Sequence, residues 1–548
     1  MGVAAERPRH HTVRVTLELD SLSLLLEAAQ RLDGHYARLP ATSSSSASPD
    51  DDLAPWRAVL TEIADRLGED FPFAHPLYAG QMLKPPHPLA RLAYALATFV
   101  NPNAHALDGG RSSSAMEKEA VAELAAMMGF DAHLGHLTGG GTMANLEALW
   151  VASRLGPKGG RVLASKQAHY THERLCQVLG IPFVAVEVDD RGRMDPDALA
   201  RQLDRGPVTA VVATLGTTGL GAVDPVATLH ELTDTHGTRL HVDAAYGGYF
   251  RLASAIDDED RPAFEATAEA DSLVVDPHKH GLQPYGCGCV LFADPNVGAL
   301  YRHDSPYTYF SSDELHLGEI SLECSRPGAA AIALWATQRH LRLERGGAFA
   351  GDLDRSLEAA RALHARLEAS ERFLTLSPPS LDIVVFAPRG ERASAISTAS
   401  RELFEAAASR DLHLALTSLP HSLVDWPDVD FDTDQVTCLR SVLMKPSHLD
   451  WATASPTSST GWRPDRSGGL DGDGDELVVL RRPQQGHVAL GGQRPVVEPD
   501  QGPGVGAHLL VQHLTAATDP GERRPRAIER VAEPWPSNRS SFCPCSPR

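Results

Sequence analysis

The chain has 548 residues, 42% of them hydrophobic, and a formal net charge of -21 at pH 7. This length exceeds what one hydrophobic core usually serves, so we expect two folded domains with appended segments. The strong negative charge argues against nucleic acids and anionic membranes as partners, because like charges repel.

The sequence also gives no sign of export or membrane insertion. It contains no run of about 20 apolar residues, the length that a membrane-spanning helix requires. The N-terminus lacks the apolar core of a signal peptide. The 7 cysteines are an odd number at no spacing typical of a disulfide framework, so we expect a reducing, cytoplasmic environment.

Residues 1–52 are predicted to form an N-terminal arm. Its apolar residues recur at helical spacing over Leu17–Leu32, and a serine-rich, acidic linker follows at Ala41–Asp52. Residues 53–110 are predicted to be a largely helical segment, with an amphipathic helix at Trp56–Leu67.

From His136 onward, short apolar runs alternate with helical segments, and residues 111–325 are predicted to form one large domain. Continuously apolar strands separated by helices are typical of a mainly parallel sheet buried on both faces, so we expect an α/β fold. Ligands of such sheets bind beyond the carboxyl ends of the strands. Strands are predicted at Arg161–Ser165, Phe183–Val188, Val208–Leu215 and near Leu240 and Ser272, and helices at Thr171–Leu179, Pro196–Leu203 and Val226–Thr235.

Two segments of this domain carry groups that could bind a flat, anionic ligand. The stretch LTGGGTMANLEAL places glycines and Thr142 at the start of a helix, which makes an anion site at Gly141. In the stretch RLHVDAAYG, Asp243 and Ala245 share one face of a buried strand. A buried carboxylate beside so small a residue suggests that a flat group lies there.

A third segment, DSLVVDPHKHG, places Lys279 directly after an apolar run and between turn-forming residues. Most lysines beside a turn are solvated, but one that faces a cleft at the end of a buried strand can act as a nucleophile toward a carbonyl. An anion site, a buried carboxylate and a nucleophilic amine together match pyridoxal phosphate (PLP), through its phosphate, its pyridine nitrogen and its aldehyde.

The remainder of the chain is predicted to contain a small α+β domain at residues 326–451 and a tail at residues 452–548. The tail is rich in Gly, Pro, Ser and Arg, so we expect it to be largely disordered, and its composition would also suit a shifted reading frame. The predicted helices of the small domain are Ala329–Arg342, Phe349–Ala369 and Ala393–Ala408, and its predicted strands are Phe373–Leu376, Asp382–Phe386, Leu412–Leu416 and Val436–Leu443.

The motifs GGGT, QAHYTHE, GTTGLGAVDP, HVDAAYGG and DPHKH follow one another in the order of a known family. Over Phe71–Trp451 the chain resembles the group II PLP-dependent amino-acid decarboxylases, relatives of the glutamate, aromatic-amino-acid and tyrosine decarboxylases. The resemblance implies PLP fold type I, a homodimer with shared active sites, and decarboxylation of an L-amino acid to the amine and CO2. Two departures leave the substrate open: Asp276 stands where many members have Asn, and His280 stands where a Trp or similar residue is expected.

The resemblance also implies roles for individual residues. Lys279 would bind PLP covalently, and Asp243 would pair with its pyridine nitrogen. His169 would stack on the ring face opposite Ala245 and assist proton transfer. Phosphate binding is expected from Gly141, Thr142 and His278, and contact with the ring hydroxyl or the substrate carboxylate from Thr218.

Candidates for substrate contact lie outside these motifs. Tyr307 is preferred to Tyr309 as the residue that protonates the substrate Cα from the neighbouring subunit. Arg326 falls where relatives have an arginine near the active site, although a surface ion pair would explain it equally well. The segment that resembles the family's substrate side adds His75, Tyr78 and Asn101.

Several alternatives stay open on the sequence alone. Aromatic substrates are preferred, with acidic amino acids and diaminobutyrate as alternatives, and an aminotransferase or a carbon-carbon lyase could use the same fold and cofactor. A metal site formed by the HKH and CGC stretches has unusual spacing for zinc and leaves Lys279 without a role, so no metal is expected. An inactive product is a further alternative, if the tail replaces a needed C-terminal segment.

Overall fold

The computed structural model describes residues 21–38, 53–302 and 315–453. The first helices are α1 (Leu22–Tyr36), α2 (Ala54–Leu67), α3 (Pro88–Thr98) and α4 (Leu107–Met128), so the helix predicted over Trp56–Leu67 is confirmed. α3 begins with Pro88, whose fixed φ suits the first helical position. The His87 side chain accepts a hydrogen bond from the Leu89 N–H at 3.2 Å and so caps this helix.

The large sheet consists of β1 (Leu134–Thr138), β2 (Arg161–Ser165), β3 (Phe183–Val186), β4 (Val208–Thr214), β5 (Arg239–Asp243), β6 (Ser272–Val275) and β7 (Gly288–Phe292). Within the described residues these strands have the order β1-β7-β6-β5-β4-β2-β3. β2 to β6 pair in parallel, whereas β7 is antiparallel to both β1 and β6. The prediction of a mainly parallel sheet in an α/β fold is therefore confirmed.

Helices alternate with these strands, as the sequence predicts. The central strands β4, β6 and β7 are buried along their full length, because apolar residues occupy both of their faces. The helices of this region are α5 (Gly141–Leu155), α6 (Thr171–Leu179), α7 (Pro196–Leu203), α8 (Val226–Thr235) and α9 (Arg261–Glu265).

The strand register brings the carboxyl ends of the parallel strands to one edge of the sheet. Thr214, the last residue of β4, lies opposite Asp243, the last residue of β5. Asp243 in turn lies opposite Val274 in β6. The loops that follow these strands therefore open on the same side, which is where a ligand of a parallel sheet is expected.

A second sheet is formed by β8 (Phe373–Thr375), β9 (Ile383–Pro388), β10 (Ala415–Pro420) and β11 (Gln435–Val442), with α10 (Gly328–His340), α11 (Ala348–Glu368), α12 (Ala393–Ala408) and α13 (His448–Thr453). Its order is β10-β11-β9-β8 within the described residues, and its pairs are antiparallel. One apolar cluster contains residues of both sheets, among them Val211 and Leu273 of the large sheet and Ile383 of the small one. The two sheets therefore share a continuous core.

The strand predicted at Leu412–Leu416 is wrong in its position, since β10 begins at Ala415. Asp411 has a φ of 63°, a left-handed conformation that interrupts an extended chain. Leu412 and Leu414 are buried in the same apolar cluster as Ala79. Their hydrophobic character therefore reflects the packing of a loop and not a strand.

The predictions for the tail and for the domain boundaries concern the organisation of the whole chain. Most of the tail predicted to be disordered, from residue 454 onward, lies outside the described residues. The domain boundaries proposed at residues 110 and 325 stay predictions.

Among the helices that the structure describes, none combines the length and apolar character needed to cross a membrane.

Candidate active site

A cavity of about 540 Å³ opens at the carboxyl edge of the large sheet. Its walls come from the segments that directly follow β1, β2, β4, β5 and β6. The residues predicted to bind the cofactor come together here, although they are spread over more than a hundred positions of sequence. The cavity is lined by Gly141, Thr142, His169, Thr218, Asp243, Ala245, His278 and Lys279.

The glycine-rich segment brings the N-terminus of α5 to the cavity. Gly140 has a φ of 143°, which glycine adopts readily and other residues rarely do. A Cβ atom on Gly141 would lie 2.7 Å from the Asp276 Oδ2 atom, so a side chain would not fit at this position. The bare backbone lets an anion approach the start of α5, where the helix dipole favours negative charge.

The Asp243 carboxylate ends β5 and has several hydrogen-bond donors. Its Oδ1 atom accepts from the Ala245 N–H at 3.1 Å, and its Oδ2 atom accepts from His172 Nε2 at 2.8 Å and from Asn145 Nδ2 at 3.4 Å. Burial alone would raise the pKa of Asp243, but the hydrogen bond and charge of His172, together with the charge of Lys279, hold this pKa well below its usual range. The carboxylate therefore stays ionised and can pair with a cationic group in the cavity.

Sequence reasoning missed the residues that support Asp243. His241 Nε2 lies 2.8 Å from Asn145 Oδ1, and burial lowers the pKa of His241 to about 3, so its ring is neutral. A neutral ring that donates to the Asn145 oxygen leaves the Asn145 amide N–H to face Asp243. A buried carboxylate signals that partners exist, but strand and helix patterns do not indicate which residues they are.

Lys279 lies in the turn after β6, with its amine in contact with a carboxylate. The distance from Lys279 Nζ to Asp276 Oδ2 is 3.3 Å, and the Lys279 side chain stays partly exposed to the cavity. His278 Nδ1 donates to the Cys287 carbonyl at 2.8 Å, which fixes the direction of its ring. The amine is therefore oriented by its own turn and accessible to a carbonyl compound in the cavity.

His169 is partly buried and lines the cavity. Its Nδ1 atom accepts a hydrogen bond from the Thr171 N–H at 3.3 Å. Burial lowers the pKa of His169, so its ring is neutral near pH 7 and suited to stacking on a flat ligand.

The groups of this cavity fit PLP in kind and in number. An amine, an ionised carboxylate and a helix N-terminus line the same space, and PLP has an aldehyde, a basic ring nitrogen and a phosphate to match them. The small Ala245 and the neutral His169 could accept its flat ring between them. The described residues contain no group of three or more His, Cys, Asp or Glu side chains arranged to hold a metal ion.

Other candidate residues do not line this cavity. The His75 ring packs edge-on against Trp451 at 5.4 Å, and Tyr78 packs against Phe73 at 4.9 Å. Asn101 occupies an exposed turn with a φ of 52°. The structure thus gives these three residues packing or loop positions within one chain, while Tyr307 and Tyr309 lie outside the described residues.

Arg326 is also absent from the cavity wall. Its Nη1 atom donates to Glu117 Oε1 at 2.7 Å and to the Leu137 carbonyl at 2.5 Å. Both side chains of this ion pair are buried, with exposed fractions of 4% and 2%. The expectation of a surface ion pair is therefore wrong in its location, because the pair lies in the interior beneath β1.

Comparisons with known proteins agree with this geometry. A family model described as the pyridoxal-dependent decarboxylase conserved domain matches residues 159–389. A probable L-tyrosine/L-aspartate decarboxylase of Methanothermobacter thermautotrophicus is 31% identical over 267 residues, which are 48% of this chain and 71% of that protein. The L-aspartate decarboxylase of Thermococcus kodakarensis is 29% identical over 334 residues, 60% of this chain and 83% of that protein.

A solved structure shows the same fold. The crystal structure of Oryza sativa TDC with PLP and tryptamine aligns with a TM-score of 0.63 at 20% identity. The alignment covers 80% of this chain and 97% of that chain.

The buried position of Arg326 predicts a structural effect for its removal. We expect Arg326→Ala to lower the free energy of unfolding by about 3–5 kcal/mol, because Glu117 would be left as an unpaired buried charge. Arg355 forms an exposed ion pair with Asp450 at 2.9 Å, so Arg355→Ala should cost less than about 1 kcal/mol. Denaturant titration measures both values, and a stable Arg326→Ala chain with a raised KM would instead indicate a substrate role.

Proposed function

This chain belongs to the pyridoxal-dependent decarboxylase family, and on that premise we propose that it decarboxylates an aromatic L-amino acid at the cavity described above. It is a PLP-dependent amino-acid decarboxylase, a carboxy-lyase. The observation that carries the proposal is the meeting of Lys279, Asp243 and the N-terminus of α5 in one cavity.

The proposed roles of the residues follow from their chemistry. When bound, PLP supplies an electron sink for the pair left at the substrate Cα as CO2 departs. Lys279 would hold the cofactor covalently, and the ionised Asp243 would keep a proton on the ring nitrogen. The α5 N-terminus, Thr142 and His278 would bind the phosphate. His169 would stack on the ring, and the small Ala245 would leave space for it.

The charge of the cavity supports loss of the carboxylate. Among the described lining residues, none is an arginine, and Lys279 is engaged with Asp276. A substrate carboxylate that is not strongly stabilised as an anion departs more readily as neutral CO2. Tyr307 stays the predicted donor of the proton that replaces it at Cα, and Thr218 stays a predicted contact of the cofactor or the substrate.

The same charge distribution bears on the substrate side chain. Glu323 lines the cavity, and its Oε2 atom accepts from the Gly139 N–H at 3.1 Å. A second carboxylate on the substrate would be repelled by Glu323, whereas Tyr285 and Met143 offer apolar contact to a ring. These residues favour L-tyrosine over L-aspartate, the two substrates that appear in the name of the Methanothermobacter relative.

The reaction and its substrate can be tested together. With PLP added, we expect the full chain to release CO2 and the matching amine, with kcat/KM for L-tyrosine at least about tenfold above that for L-aspartate, because of the like charge of Glu323. CO2 capture and chromatography of the products measure this, and Lys279→Ala serves as the inactive control. A higher kcat/KM for L-aspartate would contradict the substrate assignment, and accumulation of a keto acid would contradict decarboxylation.

A homodimer is the proposed assembly, in line with the family resemblance. α2 has no buried residue in the single chain, and its apolar side chains are exposed, among them Trp56 at 71% and Leu60 at 64%. An amphipathic helix with an uncovered apolar face needs a partner surface. We infer that a second copy covers it and completes each active site.

This assembly predicts a solution mass of twice that of one chain. We expect the double substitution Trp56→Glu and Leu60→Glu to shift the full chain toward the monomer, because it places charge on the covered apolar face. Light scattering after gel filtration measures the mass, and Thr61→Glu, also on the exposed surface of α2, is the matched control. A monomeric wild-type protein would contradict the proposal.

We propose a cytoplasmic location because the described cysteines are not in disulfide bonds. The described cysteines Cys176, Cys287, Cys289, Cys324 and Cys438 are all free thiols. Unpaired thiols persist most readily in a reducing compartment.

A further inference from the structure

The residue that follows Lys279 departs from the family pattern and is deeply buried. The His280 side chain has no exposed surface, and its ring lies between Tyr246 at 4.8 Å and Phe250 at 4.7 Å. Neither ring nitrogen has a hydrogen-bond partner of good geometry among the described residues. Burial of an imidazole without a hydrogen-bond partner costs folding free energy. The groups around His280 can therefore indicate its role.

The carboxylate of Asp382 lies close to this ring. The distance from His280 Nε2 to Asp382 Oδ2 is 3.4 Å, and neither side chain has exposed surface. The other carboxylate oxygen accepts a hydrogen bond from the Tyr246 hydroxyl at 2.5 Å. Burial raises the pKa of Asp382 to about 6, while the Tyr246 hydrogen bond and the charge of Lys84 oppose this shift.

Asp382 is anchored in the small sheet. It directly precedes β9, and its backbone carbonyl accepts a hydrogen bond from the Leu443 N–H at 2.8 Å, just after β11. The carboxylate therefore has a fixed position relative to both strands.

The two residues that Asp382 contacts, Tyr246 and His280, belong to two segments of the candidate active site. Tyr246 lines the cavity and follows Ala245 in the segment that begins with Asp243. His280 is the direct neighbour of Lys279. One carboxylate of the small sheet thus touches both the segment that holds the ring nitrogen partner and the turn that holds the nucleophilic amine.

A purely structural role accounts poorly for these groups. Apolar residues of similar volume pack a buried site without the desolvation cost of a carboxylate, whereas hydrogen-bonded polar groups fix one arrangement. We propose that Asp382 is a positioning residue, which through Tyr246 and His280 sets the orientation of the Lys279 amine relative to Asp243. This inference rests on the proposed function, because it assumes that Lys279 holds PLP.

The test compares cofactor retention in the loaded full chain. We expect Tyr246→Phe and Asp382→Asn each to raise the rate of PLP loss at least about tenfold, because the first removes a hydrogen bond to the buried carboxylate and the second removes the charge of that carboxylate. Both should also shift the visible absorption maximum of the bound cofactor, which a change in stability alone would not do. Tyr301→Phe is the matched control, since Tyr301 is also buried but does not line the cavity, and it should change the rate less than about twofold.

The outcomes separate this inference from the proposed function. A wild-type chain that takes up no PLP would overturn both. Normal uptake by the wild type, with unchanged release rate and spectrum in Tyr246→Phe, would overturn the positioning role alone. An equal effect of Tyr301→Phe would overturn it too, because any buried phenol would then suffice. Tyr246→Phe removes a single oxygen, so it decides the matter even if Asp382→Asn does not fold.

Discussion

The hydrogen bond from His172 to Asp243, at 2.8 Å, is the interaction on which the rest of the site depends. Burial at the end of β5 would by itself favour the neutral acid, and a neutral acid could not hold a proton on a ring nitrogen. His172, Asn145 and the Ala245 backbone reverse that preference. The fold therefore places a charge where an apolar strand end would otherwise lie.

The parallel sheet explains how residues that are distant in sequence come to line one cavity. β1, β2, β4, β5 and β6 end at the same edge of the sheet, so residues that follow them and lie far apart in sequence line one cavity. Asp382, which directly precedes a strand of the small sheet, contacts the residues adjacent to Ala245 and to Lys279. The small sheet thereby helps to fix the position of active-site segments of the large sheet. The packing of the small sheet against the large one is thus linked to the active site through the buried polar side chains of Asp382, Tyr246 and His280.

Much of the large sheet and of the candidate cofactor site could be predicted from the sequence. The sheet follows from the alternation of apolar runs and helices. The cofactor follows from the glycines after β1, Asp243 at the end of β5 and Lys279 after β6, which are also local patterns. What depends on tertiary contact could not be predicted. His172 and Asn145 as partners of Asp243, the buried Arg326–Glu117 pair and the loop packing of Leu412 each arise from residues distant in sequence.

The central claim is that Lys279, and no other lysine, holds the cofactor. Burial lowers the pKa of Lys445 to about 7 and that of Lys84 to about 8, so each has a larger fraction of neutral amine near pH 7 than an ordinary lysine. Borohydride reduction of the PLP-loaded chain, followed by peptide mass spectrometry, locates the attached cofactor directly. We predict a label at Lys279 alone. An unlabelled Lys279, or a label at Lys445 or Lys84 in its place, would contradict the account.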